Sequence, residues 1–329
     1  MEGKMSSTLV PRSLRIAAAI ALLCAPLAAG AQAWPVKPVR TLITFPPGGP
    51  SEILTRVMND RLQSALRQPF VVENRAGAGG NVGADAVAKS APDGYTFGIT
   101  TDTLFTVNPL VYGKMPFDPW IDIMPLTLLG SFSQMMVCNA SVPAKTLAEL
   151  LQLARRQKLT YASGGAGVPG HLASELLLAM TGVNMVHVPY KGPAAATADV
   201  LGGQVNCGFL ATPTVLPQVK AGKLTALAVS TTARSPLAPQ IPTAAEAGVA
   251  GFDATFYLVL FARKGVPPDI LSAMSREVPK ALAAPELRER VAAQDIVALG
   301  TSPDETTKIL RAAAKKWAPV IKRIGLRLD

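Results

Sequence analysis

The stretch Phe45-Pro46-Pro47-Gly48-Gly49-Pro50-Ser51-Glu52 lies between a short apolar run, residues 39–45, and an amphipathic one in which Leu54, Met58, Leu62 and Leu66 recur four apart. That pattern predicts a strand, a tight loop and a helix. Glycines 48 and 49 lack a Cβ and let the backbone come close to a ligand, while Pro50 suits the first helical turn. The N–H groups of that turn have no acceptor within the helix. The loop is therefore either an anion site or an ordinary strand-to-helix turn.

Outward from this loop the pattern alternates. Strand-like runs at residues 39–45, 70–73 and 95–100 are separated by helical patterns at 51–66 and 82–89, the βαβ order of a parallel sheet covered by helices. Residues 109–125 read as a looser stretch. A strand is expected around 133–142, and after Pro143 the alternation starts afresh, with helices at 146–157, 171–180, 194–201 and 214–221 and strands at 159–162, 185–188, 204–209 and 225–230. A long apolar strand at 252–262 carries the chain back, and helices at 268–283 and 303–324 close it. The expected division is one lobe of residues 34–135 and 256–329, a second of residues 136–255, and a ligand cleft between them.

Residues 1–33 have the form of a secretory signal. Lys4, Arg12 and Arg15 precede an apolar core at 16–27, and Ala31-Gln32-Ala33 gives a small-x-small cleavage site. The core is shorter than the roughly 20 residues a membrane span needs, and the bulky Leu23 before Cys24 argues against a lipid anchor. Cleavage removes three basic side chains and one acidic, leaving 29 against 21 and a net charge of +8 on 296 residues. That length favours two domains over one. Lys and Arg are dispersed, with pairs such as Arg155-Arg156 and no basic stripe, so a nucleic-acid partner is not expected. Cys138 and Cys207 remain in an oxidising compartment, where a disulfide and a pair of buried free thiols both fit apolar strands.

A second glycine turn, Ser163-Gly164-Gly165-Ala166-Gly167-Val168-Pro169-Gly170, follows the strand at 159–162 and opens the helix at His171. Gly165, Gly167 and Gly170 match a dinucleotide fingerprint in form. No Asp or Glu stands near Tyr190 to hold a ribose, so no cofactor is expected and an anion at a helix N-terminus is the simpler reading. Catalysis lacks its parts. The chain has only His171 and His187 and contains no G-x-S-x-G, H-E-x-x-H or C-x-x-C, so no enzyme and no metal site is expected. His171 either meets a ligand or satisfies local backbone. Glu52 either complements the helix dipole or points into the cleft.

Six ordered motifs then carry a resemblance over essentially the whole mature chain: 45–49, Glu73-Asn74-Arg75-Ala76-Gly77-Ala78-Gly79-Gly80-Asn81, 92–95, 161–164, His187-Val188-Pro189-Tyr190-Lys191-Gly192 and Leu201-Gly202-Gly203-Gln204-Val205. The sequence resembles the Bug, or TctC, family of periplasmic substrate-binding receptors of tripartite tricarboxylate transporters. The resemblance implies an α/β, two-lobed type II periplasmic binding-protein fold, each lobe a sheet flanked by helices, joined by two crossing strands. It implies a monomeric periplasmic protein that captures a small di-, tri-, aromatic or aliphatic carboxylate and delivers it to the membrane permease subunits of a transporter; signalling through a membrane sensor is the alternative. One carboxyl group would be held by Phe45, Pro47, Gly48, Gly49 and Glu52, with Thr100 and Thr101 in the same wall. Ser163, Gly164, Gly167, Val168 and His171 would meet the other end, beside Leu210 and Ala211. Closure would be a hinge motion about residues 134–138 and 257–261.

The chain departs from the family pattern at Glu52, where Asp is usual, at Leu210, where Asp is common, and at Tyr257 and Val259, where Trp and Gly are usual. An apolar wall at Leu210 would disfavour an amino-acid ligand.

Overall fold

The computed structural model describes residues 34–47 and 50–328; the expected signal, Gly48 and Gly49 lie outside the described residues. Lys37–Asp329 form one compact unit. Its first run is β1 (Val39–Ile43), α1 (Pro50–Leu66), β2 (Phe70–Asn74), α2 (Asn81–Ala88), β3 (Thr96–Thr101), the one-turn helices α3 (Thr103–Thr106) and α4 (Asn108–Val111), and β4 (Ile123–Phe132). The second run is β5 (Gln134–Asn139), α5 (Leu147–Arg156), β6 (Thr160–Ser163), α6 (Pro169–Thr181), β7 (Val186–Pro189), α7 (Pro193–Leu201), β8 (Cys207–Ala211), α8 (Thr212–Lys220) and β9 (Leu224–Val229). The chain ends in β10 (Phe256–Arg263), α9 (Pro268–Ala283), α10 (Pro285–Ala292), β11 (Ile296–Ala298) and α11 (Pro303–Ile324).

These strands form two sheets, in the orders β2-β1-β3-β10-β4-β11 and β7-β6-β8-β5-β9. The first three strands of each pair in parallel, as helical crossovers require. The fourth place in each order is taken by the strand that arrives from the other sheet, β10 in the first and β5 in the second, and both run antiparallel to their neighbours. The two crossings lie side by side. Ser230 ties them together: its hydroxyl accepts from Gln134 N–H at 2.9 Å and donates to Ala254 O at 3.0 Å.

Helix α11 begins at Ser302, whose hydroxyl caps Glu305 N–H at 3.2 Å, and its apolar stripe packs on both sheets. Leu310 joins Leu42, Val87, Leu128 and Phe261 of the first sheet's core, whereas Ala313, Trp317, Val320 and Ile321 join Met136, Tyr161, Leu172 and Phe209 of the second. Trp317 is fully buried and stacks on Phe256, with ring centroids 5.6 Å apart.

Three elements differ from the sequence reading. Strand β4 begins inside the stretch read as loose; its Leu-rich run with Pro125 and Gly130 has weak strand propensity and is held by partners on both sides, with Pro125 next to a register shift. Strand β5 stops at Asn139, whose side-chain oxygen accepts from Ser141 N–H at 2.9 Å and turns the chain. Strand β10 starts at Phe256 and not at 252, because the Asp253 carboxylate takes Thr255 N–H at 2.9 Å. Helix α10 and strand β11 are additional. Of the two alternatives for the cysteines, the disulfide is present: Cys138 and Cys207 face each other across β5 and β8, with Cα atoms 4.0 Å apart.

Candidate functional site

Loops from the C-terminal ends of β1, β2, β3 and β6 converge on one cavity between the two sheets. Phe45, Gly79, Thr101, Thr103, Asn108 and Tyr112 line it from the first sheet's side, Ala166, Gly167, Val168 and Pro169 from the second, and Leu328 from the segment after α11; its volume is about 20 Å³. The C-terminal ends of parallel strands are where α/β sheets bind ligands. A larger groove of about 440 Å³, lined by Pro109, Met115, Phe117 and Pro119 on the other side of Tyr112, receives nothing from the second sheet.

On the first side the polar groups are neutral. The Thr101 and Thr103 hydroxyls lie 2.6 Å apart, and Asn108 Nδ2 donates to Gly79 O at 3.0 Å and to Asn81 Oδ1 at 2.7 Å. Burial pushes the Tyr112 phenol up, so it keeps its proton as a donor. The glycine run at 77–80 is a requirement of this wall. Gly80 has φ +97°, and a Cβ there would stand 3.0 Å from Thr44 Oγ1 and 3.3 Å from Thr100 Oγ1.

On the second side, Val168 precedes α6 and Pro169 opens it, so the positive end of a 13-residue helix faces the cavity. Gly167 N–H donates to His171 Nδ1 at 3.0 Å, which places the ring proton on Nε2. His171 and His187 stack with centroids 4.0 Å apart, and Tyr161 stacks on His187 at 4.9 Å. Burial, and then the neighbouring His187, pulls the His171 pKa down to about 3; burial pulls His187 to about 4. Both rings are neutral near pH 7. The Tyr161 hydroxyl donates to Glu175, and burial first, then that carboxylate, pushes the phenol up.

The residues named from sequence fall into groups. Phe45, Thr101, Gly167 and Val168 line the cavity, and Thr100 supports it through a 3.0 Å bond from Thr44. His171 acts on Gly167 and is itself buried. Ser163 is fully buried and engaged within its own turn, donating to Gly165 O at 2.7 Å and paired with His187 Nε2 at 2.7 Å. Gly164 O accepts Gly192 N–H at 3.0 Å. Ala211 pairs with Gln134 across β8 and β5, and Pro47 is exposed.

Two expectations are corrected. Leu210 packs with Met135, Val215 and Val229 in the core beneath α7 and α8 and is 2% exposed, so it forms no wall of the cavity and the ligand preference drawn from it lapses. Glu52 is buried and accepts from Arg56 Nε at 2.8 Å, the i,i+4 pairing of a first-turn carboxylate, and it does not line the cavity. Tyr257 and Val259 likewise pack in the first sheet's core. Sequence patterns do not single out Gly79, Thr103, Asn108, Tyr112, Ala166, Pro169 or Leu328 as lining residues; only Gly79, Ala166 and Pro169 fall within recognisable motifs.

A sequence profile described as "Tripartite tricarboxylate transporter family receptor" matches residues 54–326. The chain belongs to that family, TctC. It is 34% identical to Protein BugT of Bordetella pertussis over 98% of this chain and 100% of that protein. Among solved structures, Rpa4515 of R. palustris with adipate is 33% identical, with a TM-score of 0.82 over 89% of this chain and 99% of that one. MatC of Rhodopseudomonas palustris, solved with bound malate, is 27% identical, with a TM-score of 0.77 over 88% and 100%. The periplasmic binding protein BugD matches at 28% identity and a TM-score of 0.78 over 90% and 100%. The architecture of this TctC chain is thus the α/β, two-lobed fold of periplasmic binding proteins.

Proposed function

We propose that the chain is a periplasmic receptor that captures a small carboxylate in the cavity between its two sheets and hands it, chemically unchanged, to membrane permease subunits. The observation that carries this is the convergence of Thr101, Thr103, Asn108 and Tyr112 with the N-terminal end of α6 on one cavity. The Tyr112 hydroxyl and one hydroxyl of the Thr101–Thr103 pair are neutral donors, Asn108 spends its two N–H groups on Gly79 and Asn81 to hold the wall, and the helix end is positive, a set suited to a carboxylate. The adipate and malate bound in the structures of Rpa4515 and MatC support the ligand class. Residues 34–135 with 256–329 act as one lobe and residues 136–255 as the other, closing by hinge motion at the paired crossings around Ser133 and Thr255. Export by residues 1–33 places the mature monomer in the periplasm, where it acts as a receptor and not as an enzyme.

A thermal-shift screen of the mature protein over aliphatic and aromatic carboxylates tests the reading. Ligand at 100 times its Kd adds about 2.7 kcal/mol, which raises the midpoint measurably. A flat response to all of them refutes the assignment.

A further inference from the structure

The segment after α11 enters the cavity. Leu328 N–H donates to Val111 O at 2.7 Å and pairs in parallel with Tyr112, so the backbone at 328 is pinned to the first sheet's side at the end of α4. Its side chain points the other way. A Cβ placed on Gly167, whose φ is +76°, would come within 3.1 Å of Leu328 Cδ1 and 3.9 Å of Leu326 Cδ2. Both leucines are half-buried against the core cluster that also holds Trp317 and Phe209. One short segment therefore hydrogen-bonds to one wall and packs on the glycine turn of the other.

The space left is too small for a carboxylate of several carbons. At about 20 Å³ the cavity has room for about one water, whereas pockets that hold small ligands run to about 300–1,000 Å³. Hinge opening separates the two walls, but the Leu328 backbone bond and its bridge to Tyr112 lie wholly on the first side, so opening leaves the leucine where it is. On reclosing, the isopropyl group takes up volume between Tyr112 and Gly167.

From this packing we propose that Leu328 is a specificity-determining residue, an apolar stop that sets the longest carboxylate around which the receptor can close. The proposal rests on the receptor reading above. A ligand one or more methylenes too long meets the leucine when the walls approach, and loses the contacts made only in the closed form. Shorter ligands hold the walls somewhat farther apart than they stand in this structure, with Leu328 as part of their wall, and gain apolar contact from it.

The test is calorimetric titration of the full mature chain with straight-chain α,ω-dicarboxylates of increasing length. Wild type is compared with Leu328→Ala, Leu328→Trp and the volume-conserving Leu328→Met, with circular dichroism to establish folding. Leu328→Ala is expected to move the preferred length up by at least one methylene and to tighten the longer acids by tenfold or more. Leu328→Trp moves it down, and Leu328→Met keeps the wild-type ranking. The same order of affinities in wild type and the folded Ala and Trp variants overturns the proposal and leaves the receptor reading intact. Absence of binding to every dicarboxylate in wild type and variants alike overturns both for this ligand class.

Discussion

Replacing Asp102 by asparagine should make the protein more stable at pH 8 and no more stable at pH 4.5. Asp102 sits between Thr101 and Thr103 of the cavity wall, is fully buried, and bonds to the β10 backbone twice: its N–H donates to Tyr257 O at 2.9 Å and its side-chain Oδ1 accepts from Tyr257 N–H at 3.1 Å. Oδ2 has no hydrogen-bond partner among the described residues. Burial pushes the carboxyl up to about 7, against the opposing pull of the Tyr257 N–H and of Lys316. Below its unfolded pKa near 4 the group is protonated in both states and has no effect on stability. Between about 4 and 7 only the folded chain keeps the proton, so stability falls by about 1.4 kcal/mol per pH unit. By pH 8 the loss amounts to about 4 kcal/mol. Asparagine keeps the oxygen that Tyr257 uses and never ionises; its amide group in place of Oδ2 costs about 1–3 kcal/mol if unpartnered. The expected net gain at pH 8 is about 1–3 kcal/mol, vanishing or reversing by pH 4.5. Guanidinium unfolding of both proteins from pH 4.5 to 8.5 measures it, and the histidines, common to both, cancel. A difference that stays constant across that range would refute the reasoning.

His171→Phe keeps the stack on His187 but removes the acceptor for Gly167 N–H, so carboxylate affinity measured by calorimetry at pH 7 should fall at least tenfold with the fold intact. Because the folded pKa of His171 is depressed to about 3, wild type should lose about 1.4 kcal/mol per pH unit from this group as pH falls below 6.5. That acid-side slope should be shallower in the variant, as read by denaturant titration. Cys138→Ala with Cys207→Ala opens a crosslink spanning 69 residues, which chain entropy values at about 4 kcal/mol; a denaturation midpoint that stays at the wild-type value would exclude a stabilising crosslink.

What the sequence discloses here follows the range of the interactions involved. The second glycine turn, the β–α alternation and the helix of residues 303–324 are local patterns, and they sit where their periodicity and turn residues put them. Strand β4 is hidden because its residues have little strand preference of their own and gain it from β10, more than a hundred positions away in the chain. The cavity shows the same limit. Thr101 and Gly167 stand next to legible turns, but Asn108 and Tyr112 belong to one-turn helices too short to have a period, and Leu328 reaches the cavity only through its pairing with Tyr112. Leu210 misleads because a strand position next to a loop can face either the cleft or the core, and the pleat of β8 turns it to the core.

The place of β10 between β3 and β4 governs the order in which the chain can assemble. Until residues 256–263 arrive, the first sheet exists as two fragments, β2-β1-β3 and β4, each with a naked edge of unpaired backbone. The second sheet, whose strands all lie between Gln134 and Val229, meets no such wait. Loop-closure entropy therefore makes the first sheet, which opens the chain, the last to be completed. Through that interval the exposed edges of β3 and β4 are the part of the chain most open to wrong pairing.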